Sequence, residues 1–261
     1  MRFCVLGSGS KGNCTLVESR GRALLIDAGF SGIEIERRLD SVGLTPEVIK
    51  AVLITHEHRD HVSGVGVLSR KYKLPVFINA ATLIAAGEIM GQLHAVVEFK
   101  TGTSFPCAGF DVHPFAISHD TADPVGFTIN DSHNLFGYCT DTGIISRLIA
   151  HHLSGCQGLV LECNHDPDML RNGRYPLSLQ QRIRSQNGHL ANPDSLNLVK
   201  DLLNGCLRHV VLAHLSESNN HPDLVQQEID ALLNSLPGLD SCSPLDITIA
   251  RQYEASPLIS L

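Results

Sequence analysis

The 261-residue sequence contains no tryptophan, and only 5% of its residues are aromatic. It also lacks any run of about 18 apolar residues, the length that a membrane-spanning helix requires. The N-terminus, MRFCVLGSGSKG, has too short an apolar run for a secretory signal peptide. We therefore expect a cytoplasmic protein that has no membrane partner.

Positive charge is also scarce, because 20 Lys and Arg residues face 27 Asp and Glu residues, for a formal net charge of −7. This balance argues against a protein that coats nucleic acid through a broad basic face. A local basic patch remains compatible with such an average.

CxxC spacing is absent as well, although the chain has eight cysteines. Most of them stand in apolar or glycine-rich contexts typical of strands. We expect reduced thiols rather than disulfides or thiolate metal sites at Cys4, Cys14, Cys107, Cys139, Cys156, Cys163, Cys206 and Cys242.

No Pro/Ser-rich linker, charge block or low-complexity tract divides the chain, so we expect one domain over residues 1–261. Apolar runs typical of strands cover 2–7, 14–19, 23–29, 51–55, 75–79, 109–117, 125–129, 134–140, 158–163, 209–214 and 246–250. Helical patterns cover 31–43, 62–73, 80–87, 143–152, 176–186, 193–204 and 221–235. Strands that precede and then alternate with helices predict an α/β protein whose sheets are sandwiched by helices.

The densest chemistry lies in LITHEHRDHVSGV, residues 53–65, where the spacing is HxHxDH. His56 and His58 are two residues apart at the end of an extended segment, so both point to one side, as two ligands of one metal must. Asp60 and His61 follow where a helix begins and can reach a second metal. An HExxH zinc helix is disfavoured because Asp60 stands where its second histidine belongs. Solvated surface histidines are the other alternative.

Further ligand types follow apolar runs later in the chain. His119 comes after FAIS, Asp141 after LFGYCT and His214 after HVVLA. Loops beyond strand ends are where an α/β scaffold gathers residues from distant sequence. Each residue alone is more often structural, but their order after HxHxDH predicts a dinuclear site.

Two segments predict anion binding. In GSGSKGNCT, residues 7–15, the donors of a Gly/Ser-rich turn can bind phosphate, although a plain hairpin turn would have the same composition: Ser8, Ser10, Lys11 and Asn13. In NGHLANPDSLNLV, residues 187–199, His189 precedes a helix start at which Asn192 is expected as N-cap and substrate contact and Pro193 at the first helical position. Backbone N–H groups at such an end favour phosphate.

LITHEHRDH, with LLIDAG upstream and ISHD, TDTG and LAHLS downstream, resembles the metallo-β-lactamase-fold hydrolase superfamily from residue 1 to about 220. The resemblance implies an αββα sandwich and two divalent metal ions. Seven side chains are then ligands: His56, His58 and His119 on one ion, Asp60, His61 and His214 on the other, and Asp141 between them. Asp27 would orient these ligands from behind. Imidazoles and carboxylates without thiolate suit Zn²⁺ first, then Mn²⁺ or Fe²⁺.

GHLANPDS is similar to the GHST-type motif of ribonuclease Z relatives. SGSKGN, SHDTADPVGF, NHDPDML and AHLSESNN together resemble the YycJ/WalJ-like exonucleases. This resemblance implies a 5′-to-3′ DNA exonuclease in which a metal-bridging hydroxide attacks the phosphodiester. In such an enzyme Asp60 would hold metal. His189 would stabilise the phosphoryl oxygens or protonate the leaving group, and Glu162 would orient His189.

The sequence leaves two questions open: which residues contact the substrate, and whether the substrate is DNA or RNA. Arg174 or Arg182 could position phosphate, and His165 either contacts substrate or makes a structural hydrogen bond. The interval from His119 to Asp141 spans 22 positions (141 − 119), and that from Asp141 to His214 spans 73 (214 − 141). Neither can hold the inserted arm or extra domain of related ribonucleases, which favours DNA over RNA. The alternatives are a thioesterase of the glyoxalase II type, a lactonase, or a regulatory scaffold that retains the fold.

Overall fold

The structure is a computed structural model that describes residues 1–203, 206–236 and 245–261. Its strands are β1 (Arg2–Gly7), β2 (Cys14–Ser19), β3 (Arg22–Ile26), β4 (Ile49–Leu53), β5 (Pro75–Asn79), β6 (Ala95–Phe99), β7 (Phe105–Cys107), β8 (Phe110–Ala116), β9 (Val125–Asn130), β10 (Leu135–Cys139), β11 (Gly158–Glu162), β12 (His209–Ala213), β13 (Asp246–Ile249) and β14 (Ile259–Ser260). Its α-helices are α1 (Gly32–Ser41), α2 (Arg59–Val62), α3 (Val65–Tyr72), α4 (Ala80–Met90), α5 (Arg147–Leu153), α6 (Pro167–Asn172), α7 (Leu177–Ile183), α8 (Asn192–Leu202) and α9 (Pro222–Asn234), and Pro46–Val48 forms a 3₁₀ turn.

Within these described ranges the strands form two mixed sheets of seven. The first has the order β14-β1-β2-β3-β4-β5-β6 and becomes parallel from β3 onward. The second has the order β13-β12-β11-β10-β9-β8-β7 and is parallel from β10 to β13. The predicted αββα sandwich is confirmed.

Apolar side chains between the two sheets form the central core. Phe3 and Leu24 of the first sheet belong to one buried cluster with Phe127 and Phe136 of the second, and the rings of Phe3 and Phe136 lie 4.8 Å apart. A second cluster joins the outer face of the first sheet to α1, α3 and α4, and a third joins the outer face of the second sheet to α5, α8 and α9. Strands buried on both faces explain why their sequences are continuously apolar rather than alternating.

The predicted strands recur in the structure, but three observed strands escaped prediction. β6 and β7 lie at one edge of each sheet, and two consecutive valines of β6, Val96 and Val97, are exposed. β14 has two residues and pairs with β1. Such short or edge segments lack the buried periodicity by which strands are recognised. The helix α6 was also not predicted, and residue 204 of the predicted helix 193–204 lies outside the described residues.

The seven described cysteines are free, and six of them are buried, as expected for reduced core thiols. Cys242 lies outside the described residues. Among the helices that the structure describes, none combines the length and the apolar character needed to cross a bilayer.

Candidate metal centre

The HxHxDH segment leaves the end of β4 and enters α2, and it brings its three histidines together. The ring of His56 lies 4.8 Å from that of His58 and 4.0 Å from that of His61. His119, which follows β8, completes a group with His56 and His58 whose ligand atoms lie within 4.8 Å of one another. This is the trio that the sequence assigns to one ion.

The second predicted trio is also assembled. Asp60, His61 and His214 present ligand atoms within 4.8 Å of one another. His61 Nε2 lies 3.6 Å from the Asp60 carboxylate, and His214 Nε2 lies 3.8 Å from the same oxygen. His214 follows β12 and Asp60 lies in α2, so the two sheets contribute jointly to this group.

Asp141 lies between the two trios. One carboxylate oxygen is 3.4 Å from His61 Nε2, and the other is 4.0 Å from His119 Nε2. Burial acts to raise the pKa of Asp141, but His214 and His61 lower it more, so the net shift is downward. A carboxylate in this position suits the bridging role predicted for it.

Asp27 fixes two of the histidines from behind. Its carboxylate accepts a hydrogen bond from His61 Nδ1 at 2.7 Å and two more from the backbone N–H and hydroxyl of Thr55, at 2.9 and 2.7 Å. The Thr55 hydroxyl in turn lies 2.9 Å from His56 Nδ1. Because Nδ1 of each ring is held in this way, Nε2 of each ring is left to face the ligand cluster.

The backbone at the centre departs from ordinary geometry. Asp27, Asp141 and His214 all have φ near +60°, a region that non-glycine residues rarely adopt. Gly29 lies so close to the His-rich loop that an added Cβ would stand 1.7 Å from the carbonyl oxygen of Asp60. Strain and close approach concentrated at one place are typical of functional sites.

Glu162, the last residue of β11, joins His189 to the ligand His214. Its Oε1 accepts hydrogen bonds from His189 Nδ1 at 2.8 Å and from His214 Nδ1 at 2.9 Å. Its Oε2 accepts from the backbone N–H groups of Thr142 and Leu190. Burial lowers the pKa of His189, but Glu162 more than compensates and the net shift is upward. Glu162 therefore contacts His189, the residue that it is predicted to orient, and His214 as well.

The donor set fits divalent cations. Three buried ligand atoms have no hydrogen-bond partner among the described residues: His56 Nε2, Asp141 Oδ2 and His214 Nε2. Burial alone would lower the pKa of His61, yet Asp141, Asp27 and Asp60 raise it to about 9. Orphaned atoms and unbalanced carboxylate charge at one point are what bound cations would satisfy.

Two of the predicted phosphate donors support the metal ligands instead. The Ser8 hydroxyl accepts the backbone N–H of His214 and donates to Asn13 Oδ1. The Asn13 amide lies 3.0 Å from His61 Nε2, and its backbone N–H donates to the Asp60 carbonyl. Ser8 is 5% exposed and Asn13 is 1% exposed, so their assignment to substrate is wrong. Ser10 and Lys11 are exposed, so their assignment to substrate stays a prediction.

Asn192 is neither the N-cap nor a substrate contact. The helix α8 begins at Asn192, and Ala191 caps it without a side-chain hydrogen bond. The Asn192 side chain is fully buried and contacts Asn220 and Cys163. Polar packing inside the core, rather than capping, explains this asparagine.

Neither alternative for His165 is met. Its ring is 3% exposed and does not line the cavity, and its Nδ1 has no hydrogen-bond partner in the described part of the chain. Burial lowers the pKa of His165 to about 4, so the ring is neutral near pH 7.

A cavity of about 410 Å³ opens over the ligand cluster and includes His58, Asp60, His119, Asp141, His189 and His214 in its lining. One wall comes from the segment around α7 and contains Tyr175, Leu179 and Arg182. Arg182, one of the predicted phosphate contacts, donates to Asp120 at 2.6 Å. Another wall comes from residues 215–218. Sequence reasoning singled out AHLSESNN as a motif but missed Glu217 within it, and it missed Tyr175.

Known proteins resemble this chain in both sequence and fold. Residues 22–215 match the beta-lactamase superfamily domain. Exodeoxyribonuclease YycJ of Bacillus anthracis is 36% identical over 89% of each chain, and exodeoxyribonuclease WalJ of Streptococcus pneumoniae D39 is 34% identical over 98% of this chain and 94% of its own. The structure of the metallo-beta-lactamase fold protein YhfI from Bacillus subtilis aligns with a TM-score of 0.74 at 17% identity over 98% of each chain. Together with the assembled ligand cluster, these matches show that the chain belongs to the metallo-β-lactamase-fold hydrolase superfamily, in the branch of the YycJ/WalJ exodeoxyribonucleases.

Proposed function

We propose that this protein is a metal-dependent phosphodiesterase that degrades DNA as a 5′-to-3′ exonuclease. Two observations support a nuclease: the ligand cluster beneath an open cavity, and relatives that are named exodeoxyribonucleases. The preference for DNA and for chain ends comes from those names, and the direction comes from the resemblance noted in the sequence.

We assign two ions to the seven ligand side chains, because seven exceed what one tetrahedral ion uses. His56, His58 and His119 would hold one ion, Asp60, His61 and His214 the other, and Asp141 both. Bound divalent ions supply a hydroxide nucleophile at neutral pH and neutralise charge on the phosphate, with Zn²⁺ as the first candidate and Mn²⁺ or Fe²⁺ as alternatives.

The observation that carries the proposal is the position of His189. Its ring lines the cavity beside the ligands, and Glu162 holds its Nδ1 at 2.8 Å. The remaining ring nitrogen, Nε2, is therefore the atom that can meet a substrate. A proton held there can pass to the leaving oxygen of the phosphodiester, while the buried Glu162 carboxylate stabilises the charged ring.

A cleavage panel tests this function. The purified protein, loaded with Mn²⁺ or Zn²⁺, is incubated with single- and double-stranded DNA and RNA that carry a label at one end. A thioester and a lactam are tested in parallel, because thioesterases and lactonases use similar ligands. Metal-dependent release of mononucleotides from the 5′ end of DNA is the expected result. Thioester hydrolysis without cleavage of any nucleic acid or aryl phosphodiester would contradict the proposal.

A further inference from the structure

A second cavity, of about 740 Å³, lies between α1 and the C-terminal residues 253–258. Tyr253 lines this cavity, and its hydroxyl donates to Glu217 at 2.8 Å. Glu217 in turn lines the cavity over the metal ligands. The Tyr253 side chain therefore lines the second cavity and contacts a residue that lines the first.

Lys11 completes a trio at this junction. Its ammonium lies 2.8 Å from the Glu217 carboxylate, donates to the Tyr253 hydroxyl, and stands 5.2 Å from the centre of the Tyr253 ring. The Lys11 side chain is 56% exposed and that of Glu217 is 39% exposed. Glu217 thus lines the cavity over the metal ligands, and the Lys11 ammonium beside it faces solvent.

The C-terminal segment holds this trio in place. The buried side chain of Gln252 accepts the backbone N–H of Lys11 at 2.8 Å and donates to the carbonyl of Gly12 at 2.9 Å. Gly9 and Gly12 of the same turn adopt φ of +143° and +154°. Lys11 and Tyr253 are thus fixed relative to each other although their side chains face solvent.

Tyr253 is an unusual surface residue for this chain, which has four tyrosines and no tryptophan. Among the described residues it is the aromatic side chain with the largest exposure, at 61%. An exposed ring beside a cation is the arrangement with which proteins bind single-stranded nucleic acid, because bases stack on the ring and phosphates pair with the cation. Arg37 places a further exposed cation at the second cavity.

We propose that Tyr253 and Lys11 form a platform that guides a single DNA strand from the metal centre into the second cavity. A base stacks on the Tyr253 ring, and a phosphate replaces Glu217 as the partner of Lys11. This inference rests on the proposed function and extends the substrate from one scissile bond to a strand of several nucleotides.

The chain contains a matched control for the platform. Lys71 pairs with Glu36 at 2.7 Å and lies 5.2 Å from the centre of the Tyr72 ring. This second trio has the same residue types, yet none of its members lines either cavity. Substitutions there alter the same chemistry without altering the platform.

The test measures binding of thymidine strands with phosphorothioate linkages, which resist cleavage, at lengths of about 4 to 16 nucleotides. The metal-loaded wild type should bind long strands more tightly than short ones. Tyr253→Ala should weaken long-strand binding about 5- to 150-fold, the range for loss of one stacked base, while Tyr253→Phe should retain most of it. Lys11→Ala should reduce the slope of log Kd against log salt by about 0.7, the value for one phosphate contact.

Tyr72→Ala and Lys71→Ala should bind strands of every length as the wild type does, and melting temperatures confirm that all variants fold. Length-independent binding by the wild type, or equal effects of Tyr253→Ala and Tyr72→Ala, would overturn the platform. Hydrolysis of bis(p-nitrophenyl) phosphate by the wild type separates the two proposals. If that activity is present, weak strand binding refutes only the platform, whereas its absence together with intact nucleic acids refutes the phosphodiesterase.

Discussion

The metal centre and the mouth of its cavity use similar charged side chains in opposite ways. At the centre, Asp27 and Glu162 are fully buried. Asp27 accepts three hydrogen bonds and Glu162 accepts four, and the histidine rings of His61, His189 and His214 donate three of them. At the mouth, Glu217 and Asp120 are partly exposed and pair with Lys11 and Arg182, whose side chains are mostly exposed.

We infer that the buried carboxylates keep their partners permanently, whereas the exposed carboxylates can give up theirs to a substrate phosphate. Buried carboxylates preorganise the ligands, and their loss leaves uncompensated groups in a medium of low dielectric constant. Exposed ion pairs contribute little to stability and can exchange partners when a phosphate arrives. The same substitution, carboxylate to amide, should therefore have opposite effects in the two regions.

The largest effect is expected at the carboxylate between the two ligand trios. Asp141→Ala removes two carboxylate oxygens, one 3.4 Å from His61 Nε2 and the other 4.0 Å from His119 Nε2. Loss of a residue that only orients a ligand can lower activity by ~100-fold. Loss of a direct ligand should have a larger effect, so the cleavage rate of Asp141→Ala should fall by more than ~100-fold. Elemental analysis should find two ions per wild-type chain and fewer in the variant. Full metal content with near wild-type cleavage would exclude Asp141 as a shared ligand.

A smaller loss of activity is expected at Asp27, which contacts the ligand His61 without being a ligand itself. Asp27→Asn keeps the shape but replaces the carboxylate that accepts His61 Nδ1. Metal affinity should fall by about 10- to 100-fold, and cleavage at limiting metal should fall with it. Titration of the apoprotein with Zn²⁺ or Mn²⁺ measures this change. Unchanged affinity would mean that Asp27 has only a packing role.

Replacing a carboxylate at the mouth of the cavity should improve substrate binding rather than weaken the enzyme. Glu217→Gln removes the carboxylate that competes with phosphate for Lys11. KM for a long DNA strand should decrease, by up to about fivefold, because an exposed ion pair is worth about 0.2–1 kcal/mol. Glu36→Gln, at the matched trio, should leave KM unchanged. A higher KM in Glu217→Gln would show that the carboxylate positions substrate rather than competing with it.

The smallest effect is expected at an ion pair on α1 that lies away from the metal ligands and whose Arg37 lines the second cavity. Hydrogen bonds from Arg37 are the main cause that lowers the pKa of Glu34 to about 2, and Arg38 adds to it. A lowered pKa in the folded state stabilises the protein above about pH 4.5 and is lost as the pH falls toward 2. Glu34→Gln should cost less than about 1 kcal/mol at neutral pH, and the difference from wild type should vanish in acid. Denaturant unfolding at several pH values measures it, and a difference independent of pH would contradict the pairing.

The sequence predicts which side chains meet at the ligand cluster but not which meet at the mouth of the cavity, for a physical reason. HxHxDH is one contiguous stretch, and His119, Asp141 and His214 each follow an apolar strand. These positions in the sequence are enough to predict that the side chains lie close together. Lys11, Glu217 and Tyr253 come from three segments that meet only in the fold, and no periodicity links them. Ser8 and Asn13 were assigned to phosphate because a Gly/Ser-rich turn has the same composition whether its donors face inward or outward.

The variant that tests the proposed mechanism best is His189→Ala, because we propose that His189 acts on the substrate and not as a metal ligand. One preparation of this variant is examined for metal content, thermal midpoint and single-turnover cleavage of DNA. The account predicts unchanged metal content and folding, with cleavage slowed by about 10²- to 10⁴-fold, the range for loss of general acid–base assistance. Loss of a metal ion, or cleavage at nearly the wild-type rate, would contradict it.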